Sequence, residues 1–274
     1  MKNQFCINSQ DVLKTALKVS GKKEEDFSVA PFTIIYFSNF LFKYLSKEIK
    51  LQQDDWLAPF HPYASSFVSN GNYKGIPISV IQPPMGASPL SCVVEDLIYC
   101  GAKVILLVCG SWGIGKNVEL LDYIIPTHTS GPDGTSVYYK RDINEEMEIN
   151  SEIFNIILNE VKKQTRNYHI GKNFSIEAFY QMNKQNILKM QQNNFISIEN
   201  GELNVIASIC RLKEIKFGAI FYSYFNPLIG WNIPWINDEY RICVELQGKI
   251  VLNAIEEMSS KKKNKSAELK RMIV

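Results

Sequence analysis

The sequence predicts a single three-layer α/β domain. Short apolar runs of strand character alternate with amphipathic helical stretches through most of the chain. The strongest of these runs, residues 104–109, is apolar throughout, as a central strand buried on both faces is, and it leads straight into glycine-rich sequence. With 274 residues and 46% hydrophobic content, the chain has enough apolar surface for one large core.

Residues 33–37 form a β-branched and aromatic run, and residues 41, 42, 45 and 49 then share one helical face, which makes a first βα unit. Asn70, Gly71 and Asn72 predict a turn, followed by a strand over residues 77–82 that ends at Pro83 and Pro84 and leaves Met85 and Gly86 in a strand-end loop. Ser88-Pro89 starts a helix that Gly101 stops, with Val93, Val94, Leu97 and Ile98 as its apolar stripe. After the 104–109 strand come helices near 151–164, 181–192 and 200–214, a strand at 218–225 and a long helix over about 239–258. The domain is thus expected over residues 29–258, with an N-terminal extension (1–28) and a basic tail (259–274) whose Lys261, Lys262, Lys263 and Lys265 read as a solvated end.

Thirty Lys plus Arg against twenty-eight Asp plus Glu give a formal charge of +2, so no overall field favours nucleic acid or an anionic membrane. No run approaches the roughly 18 apolar residues of a membrane span, and the first twenty residues lack the apolar stretch of a signal peptide. The six cysteines are widely scattered, and His61, His128 and His169 stand at no ligand spacing. A cytoplasmic protein without bound metal or cofactor is expected, with a small molecule as partner.

Four segments in order resemble the nucleoside phosphorylase superfamily, which contains the hexameric purine nucleoside phosphorylases and the uridine phosphorylases. They are Tyr73-Lys74-Gly75 running on to Met85-Gly86-Ala87-Ser88; Glu95 to the Gly110-Ser111-Trp112-Gly113 stretch, continued by residues 122–126 and 133–136; Phe174 to Tyr180; and Ser197-Ile198-Glu199 with the apolar helix after it. The resemblance implies a three-layer α/β/α fold with a mixed central sheet and a homo-oligomer, dimer or hexamer. It also implies a nucleoside site formed by Met85 against the ribose, Glu199 on the ribose hydroxyls, Phe179 on the base, and Tyr180 and Asn226 nearby. Gly110 and Ser111 would face phosphate, the co-substrate of the family reaction.

The sequence departs from that pattern where phosphate is held. The family's first phosphate loop, Gly-Asp-Pro-x-Arg, falls on Ser38, Asn39, Phe40, Leu41 and Phe42, a second arginine falls on Val108, and a third, from the neighbouring subunit, falls near Ala64. Charge-assisted hydrogen bonds are worth roughly 1.5–3 kcal/mol each, so a serine hydroxyl does not replace three cations. The strand-end Asp of purine-cleaving members has no counterpart in Tyr222-Ser223-Tyr224-Phe225-Asn226, and the uracil-reading Gln and Arg fall near Asn183 and Gln185. Two expectations follow. One is a divergent phosphorylase or nucleosidase acting on the N-glycosidic bond of a nucleoside, purine nucleosides first, with Lys43 or Lys116 supplying charge. The other is a catalytically degenerate nucleoside-binding or scaffold protein on the same fold.

Overall fold

Asn8 opens the first helix, α1 (Ser9–Ser20), by accepting from the Gln10 N–H while Asp11 accepts from the Asn8 N–H, and Gly21 ends it in the left-handed conformation. Its apolar side, Leu13 and Ala16, is buried in the core, so part of the expected N-terminal extension packs onto the domain. The computed structural model describes residues 6–60, 66–140, 142–231 and 237–272, with side chains to residue 262.

The chain continues through β1 (Phe32–Tyr36), α2 (Asn39–Ile49), β2 (Gln52–Asp54), β3 (Val68–Tyr73), β4 (Ile76–Ile81), α3 (Ala87–Tyr99) and β5 (Val104–Gly113). The second half is β6 (Tyr123–Ser130), β7 (Met147–Glu148), α4 (Ser151–Gln164), β8 (Tyr168–Ser175), α5 (Lys184–Gln192), β9 (Phe195–Glu199), α6 (Glu202–Leu212), β10 (Lys216–Phe225) and α7 (Asp238–Met272). Helices α1, α3 and α6 cover one face of the sheet and α2, α4 and α7 the other, each face with its own apolar cluster, which gives the expected three layers. No helix among the described residues is long and apolar enough to cross a membrane.

Parallel and antiparallel pairs mix in the sheet. One arm runs β5-β1-β4-β3-β2, while β5, β9, β8, β6 and β10 close on themselves because β10 pairs with both β6 and β5. The two arms meet at β5, whose lower part pairs with β1 as far as Tyr36↔Val108 and whose upper end pairs with β9 at Trp112↔Ile198 and Gly113↔Ser197. Between those contacts Cys109, Gly110 and Ser111 have β10 on one edge and no strand on the other.

Two readings of glycine need correction. Residues 70–72 are not a turn: they lie within β3, paired to β4, and the hairpin turns instead at Lys74 and Gly75, both at positive φ as a tight two-residue hairpin requires. Gly71 serves a close approach, since a Cβ there would stand 2.6 Å from the Ile49 carbonyl oxygen at the end of α2. Likewise Gly110 and Gly113 continue β5 rather than loop out, and a Cβ on Gly110 would meet the Tyr222 and Tyr224 rings at 2.8 Å.

Gly218 shows the same economy of space in the opposite layer, where a Cβ would come 2.4 Å from the Ile153 side chain of α4. Overpacking of this kind costs about 1–3 kcal/mol. Gly218→Ala is therefore expected to lower the free energy of unfolding by that amount, and Gly218→Ala with Ile153→Ala is expected to cost less than the sum of the single changes, because the second removes the atom the first collides with. Strict additivity in equilibrium unfolding would contradict this packing.

Candidate functional site

The unpaired stretch of β5 is one wall of a cavity of about 460 Å³. The ends of the neighbouring elements supply the rest: Phe37 and Ser38 follow β1, Met85 follows β4, Phe179 follows β8, and Ile198, Glu199 and Asn200 end β9. Tyr222 and Tyr224 come from β10, Glu202 from the first turn of α6 and Tyr240 from α7. Strand ends converging where a sheet divides its connections are the usual place for a ligand in an α/β protein.

Aromatic rings form one side. Phe179 stacks on Trp112 with centroids 4.5 Å apart, Phe225 meets the same indole edge-to-face at 5.0 Å, and the indole N–H donates to the Tyr224 hydroxyl at 3.0 Å. Hydroxyls form another: Tyr222 and Tyr240 are hydrogen-bonded at 2.9 Å, and Ser38 Oγ lies 3.5 Å from the Tyr240 hydroxyl. Burial raises the Tyr224 phenol to about 12 and holds Tyr222 well above its ordinary value, so both stay neutral. Ser111 Oγ is buried beside this group without a hydrogen-bond partner.

The third side holds two carboxyl groups, Glu199 and Glu202, both buried. Ser175 Oγ and Asn173 Nδ2 donate to Glu199 Oε1, the latter at 3.1 Å, and the Leu203 N–H donates to Oε2 at 3.2 Å. Glu202 Oε1 accepts from the Gly86 N–H at 2.9 Å, which ties α6 to the loop bearing Met85. Burial, then the nearby Glu202 charge, hold the Glu199 carboxyl well above the ordinary carboxylate range.

Of the residues expected at the site, Met85, Gly110, Ser111, Phe179 and Glu199 line this cavity. Glu199 also caps α6, so its helix-terminal role and its place at the cavity coexist. Tyr180 and Asn226 do not line it. The Tyr180 side chain is fully exposed, and Asn226 is spent on a turn in which its side chain accepts from the Leu228 N–H. Lys43 and Lys116 are exposed and line no part of the cavity; the Lys43 ammonium sits 5.8 Å over the Phe40 ring instead. Ala64 and His61 lie outside the described residues. Among the described residues, no Lys, Arg or His lines the cavity.

The departures from the family pattern at the phosphate loop are filled by packing. Phe42 stacks on Tyr36 at 5.5 Å, Phe40 meets Tyr240 edge-to-face at 5.7 Å, and Val108 is buried between β1 and β10. Glu202, Tyr222, Tyr224 and Tyr240 were not expected as site residues. Only the three-residue spacing from Glu199 pointed to Glu202, and that spacing equally suits an acidic first helical turn.

The raised Glu199 carboxyl has a consequence for stability. The folded state binds that proton more tightly than the unfolded chain, whose value is near 4.5, so this contribution is full below 4.5 and is lost as pH rises toward the raised value. The melting temperature is expected to fall over that interval, and Glu199→Gln is expected to flatten the fall. An unchanged pH dependence in the variant would remove Glu199 as its source.

Comparison with known proteins agrees with this architecture. A sequence model described as the phosphorylase superfamily matches residues 45–224. A uridine phosphorylase from Thermococcus kodakarensis is 29% identical over 110 residues, which span 40% of this chain and 39% of that protein. In structure, the chain resembles a purine nucleoside phosphorylase from Toxoplasma gondii in complex with immucillin-H, with a TM-score of 0.74 and 18% identity over 88% of this chain and 95% of that one. It also resembles a uridine phosphorylase from Vibrio fischeri complexed with 6-hydroxy-1-naphthoic acid, with a TM-score of 0.72 and 18% identity over 85% and 93%. The family match over most of the chain, joined to a nucleoside phosphorylase fold with its cavity at the strand ends, makes this protein a member of the phosphorylase superfamily.

Proposed function

We propose that the protein binds a purine nucleoside in this cavity and cleaves its N-glycosidic bond with water in place of phosphate. The observation that carries the reading is the lining: two buried carboxyls on one side, stacked aromatics on another, neutral hydroxyls on the third and no cation among the described lining residues. Phe179, supported from behind by Trp112, offers a flat face to a base. The carboxyl pair offers acceptors to ribose hydroxyls, with Met85 beside it. The hydroxyl group formed by Ser38, Ser111, Tyr222 and Tyr240 is suited to a neutral nucleophile and is a weak site for a phosphate dianion.

Purine is favoured over uracil by what lies outside the cavity. Asn183, near which the uracil-reading side chain of the family would fall, caps α5 by accepting from the Asn186 N–H, and Gln185 is exposed. The same proposal places the protein in the cytoplasm as a homo-oligomer, dimer or hexamer, without metal or organic cofactor. Phosphate is the co-substrate it dispenses with.

The test is base release from inosine, guanosine, adenosine and uridine, each with and without inorganic phosphate. The expected result is release of purine bases at a rate that phosphate leaves unchanged, and a loss of at least about tenfold in nucleoside affinity for Phe179→Ala, the scale of one stacked base. Release that requires phosphate would restore phosphorolysis. Binding without release from any of the four would leave the degenerate binding protein as the better reading.

A further inference from the structure

We propose that Asn173, itself oriented by Ser197, is the positioning residue that sets the Glu199 carboxyl at the cavity, so that ribose recognition is governed from inside the sheet by side chains that line no part of the cavity. The inference rests on the nucleoside reading above and adds what holds its ribose acceptor in place.

The first support is a row of polar side chains across three strands. Thr129, Asn173 and Ser197 are cross-strand neighbours on β6, β8 and β9, and two residues further along Ser175 stands opposite Glu199. Thr129, Asn173, Ser175 and Ser197 are wholly buried, and none of them lines the cavity. Interior polar groups are costly unless matched, and here the matching runs in one direction. Ser197 Oγ donates to Asn173 Oδ1 at 2.8 Å, which leaves the amide nitrogen for Glu199. Asn173 Nδ2 donates to Glu199 Oε1 at 3.1 Å, its shortest contact, with Thr129 Oγ1 at 3.3 Å and Ser175 Oγ at 3.4 Å beside it. The reverse orientation of the amide would set Oδ1 against a carboxylate oxygen.

The second support is what the other contacts of Glu199 leave undecided. Ser175 Oγ reaches the same oxygen, and the Leu203 N–H holds Oε2 at 3.2 Å. A hydroxyl rotates to suit its partners, and Ser175 Oγ also lies 3.2 Å from Thr129 Oγ1. An amide held at its oxygen offers a donor of fixed direction, so Asn173 is the member of the row that fixes the carboxyl. A donor to the ionised form favours it, so removing Asn173 pushes Glu199 further above the ordinary carboxylate range. The other titratable groups facing Glu199 among the described residues are Glu202 on α6 and Cys109 on β5, whose thiol burial holds well above its usual value.

The experiment uses the full chain with Asn173→Leu, Ser197→Ala and the double variant. Melting temperature against pH reads Glu199 without a ligand, and calorimetry with inosine and with hypoxanthine separates ribose from base. In Asn173→Leu the fall in melting temperature assigned to Glu199 is expected to extend to higher pH, because the folded-state value sets where that contribution is lost. Inosine affinity is expected to drop at least about tenfold, the scale of one hydrogen bond to a charged group, with hypoxanthine affinity unchanged. Ser197→Ala is expected to move both readings the same way by less, and the double variant to go no further than Asn173→Leu, since Ser197 acts through Asn173. If Asn173→Leu does not fold, Ser197→Ala carries the comparison. A pH profile that moves while the unaltered chain binds no inosine supports the positioning role and removes the nucleoside reading. A profile unmoved in both variants, or equal losses for inosine and hypoxanthine, overturns the positioning role and leaves the proposed function standing.

Discussion

Everything at the site depends on the pairing of β5 with β10. Residues 104–112 of β5 keep β10 as a parallel neighbour along their whole length, and that continuous edge lets the other edge change partners from β1 to β9. A strand that lost both neighbours at once would expose backbone donors and acceptors, which is expensive in an interior. With one edge held, Cys109 to Ser111 can face open space, and Gln247 of α7 adds a second clamp by donating to the Cys109 and Ile220 carbonyls at 2.9 Å each. Gly110 is required at this point because the Tyr222 and Tyr224 rings lie over it. The same missing side chain therefore fits the sheet together and shapes the cavity wall.

The electrostatics follow from what this architecture buries. Where the family resemblance puts an arginine of the phosphate loop, Phe42 stacks on Tyr36, and Val108 takes the place of a second. The two buried carboxyls nearby are left without a cationic partner among the described lining residues, and burial, then the Glu202 charge, hold Glu199 well above the ordinary carboxylate range. The raised Glu199 carboxyl is thus the counterpart of a lining without cations among the described residues. Beside it, Glu202 accepts from the Gly86 N–H and so ties down the loop that carries Met85.

Much of the fold was legible in the sequence, for reasons that also explain the rest. Residues 104–109 and 151–164 announced themselves because continuous apolar and 3.6-period patterns reflect burial on two faces and on one. Strands β6, β8 and β9 did not. β6 contains Pro126 at a register shift, β8 alternates poorly because Asn173 and Ser175 turn inward to serve Glu199, and β9 carries Ser197, whose hydroxyl donates to Asn173. These strands spend interior positions on a polar network, which is what hides a strand from hydrophobic periodicity. The site was legible in part: Met85, Gly110, Ser111, Phe179 and Glu199 meet at the cavity, whereas Tyr180 and Asn226, which the family resemblance implied, do not line it, because a match of residue type does not determine the direction of a side chain. Tyr240 could not be foreseen, since it reaches the cavity from a helix 18 residues beyond its partner Tyr222.

The replacement of charge by packing also constrains the nucleophile. A phosphate dianion brought into a largely apolar cavity loses strong hydration and regains it only from cations or several converging amides. The hydroxyls of Ser38, Ser111, Tyr222 and Tyr240 are neutral, and two of them already bond each other. Such a group orients a small neutral molecule by hydrogen bonds at little desolvation cost, and the unpartnered Ser111 hydroxyl has its hydrogen-bonding capacity still to use. On the proposed reading, a cavity lined by carboxyls, aromatics and hydroxyls, with no cation among its described lining residues, holds water where a relative would hold an anion. That step follows from the residues at β5, β10 and α7 without any change in the sheet that positions them.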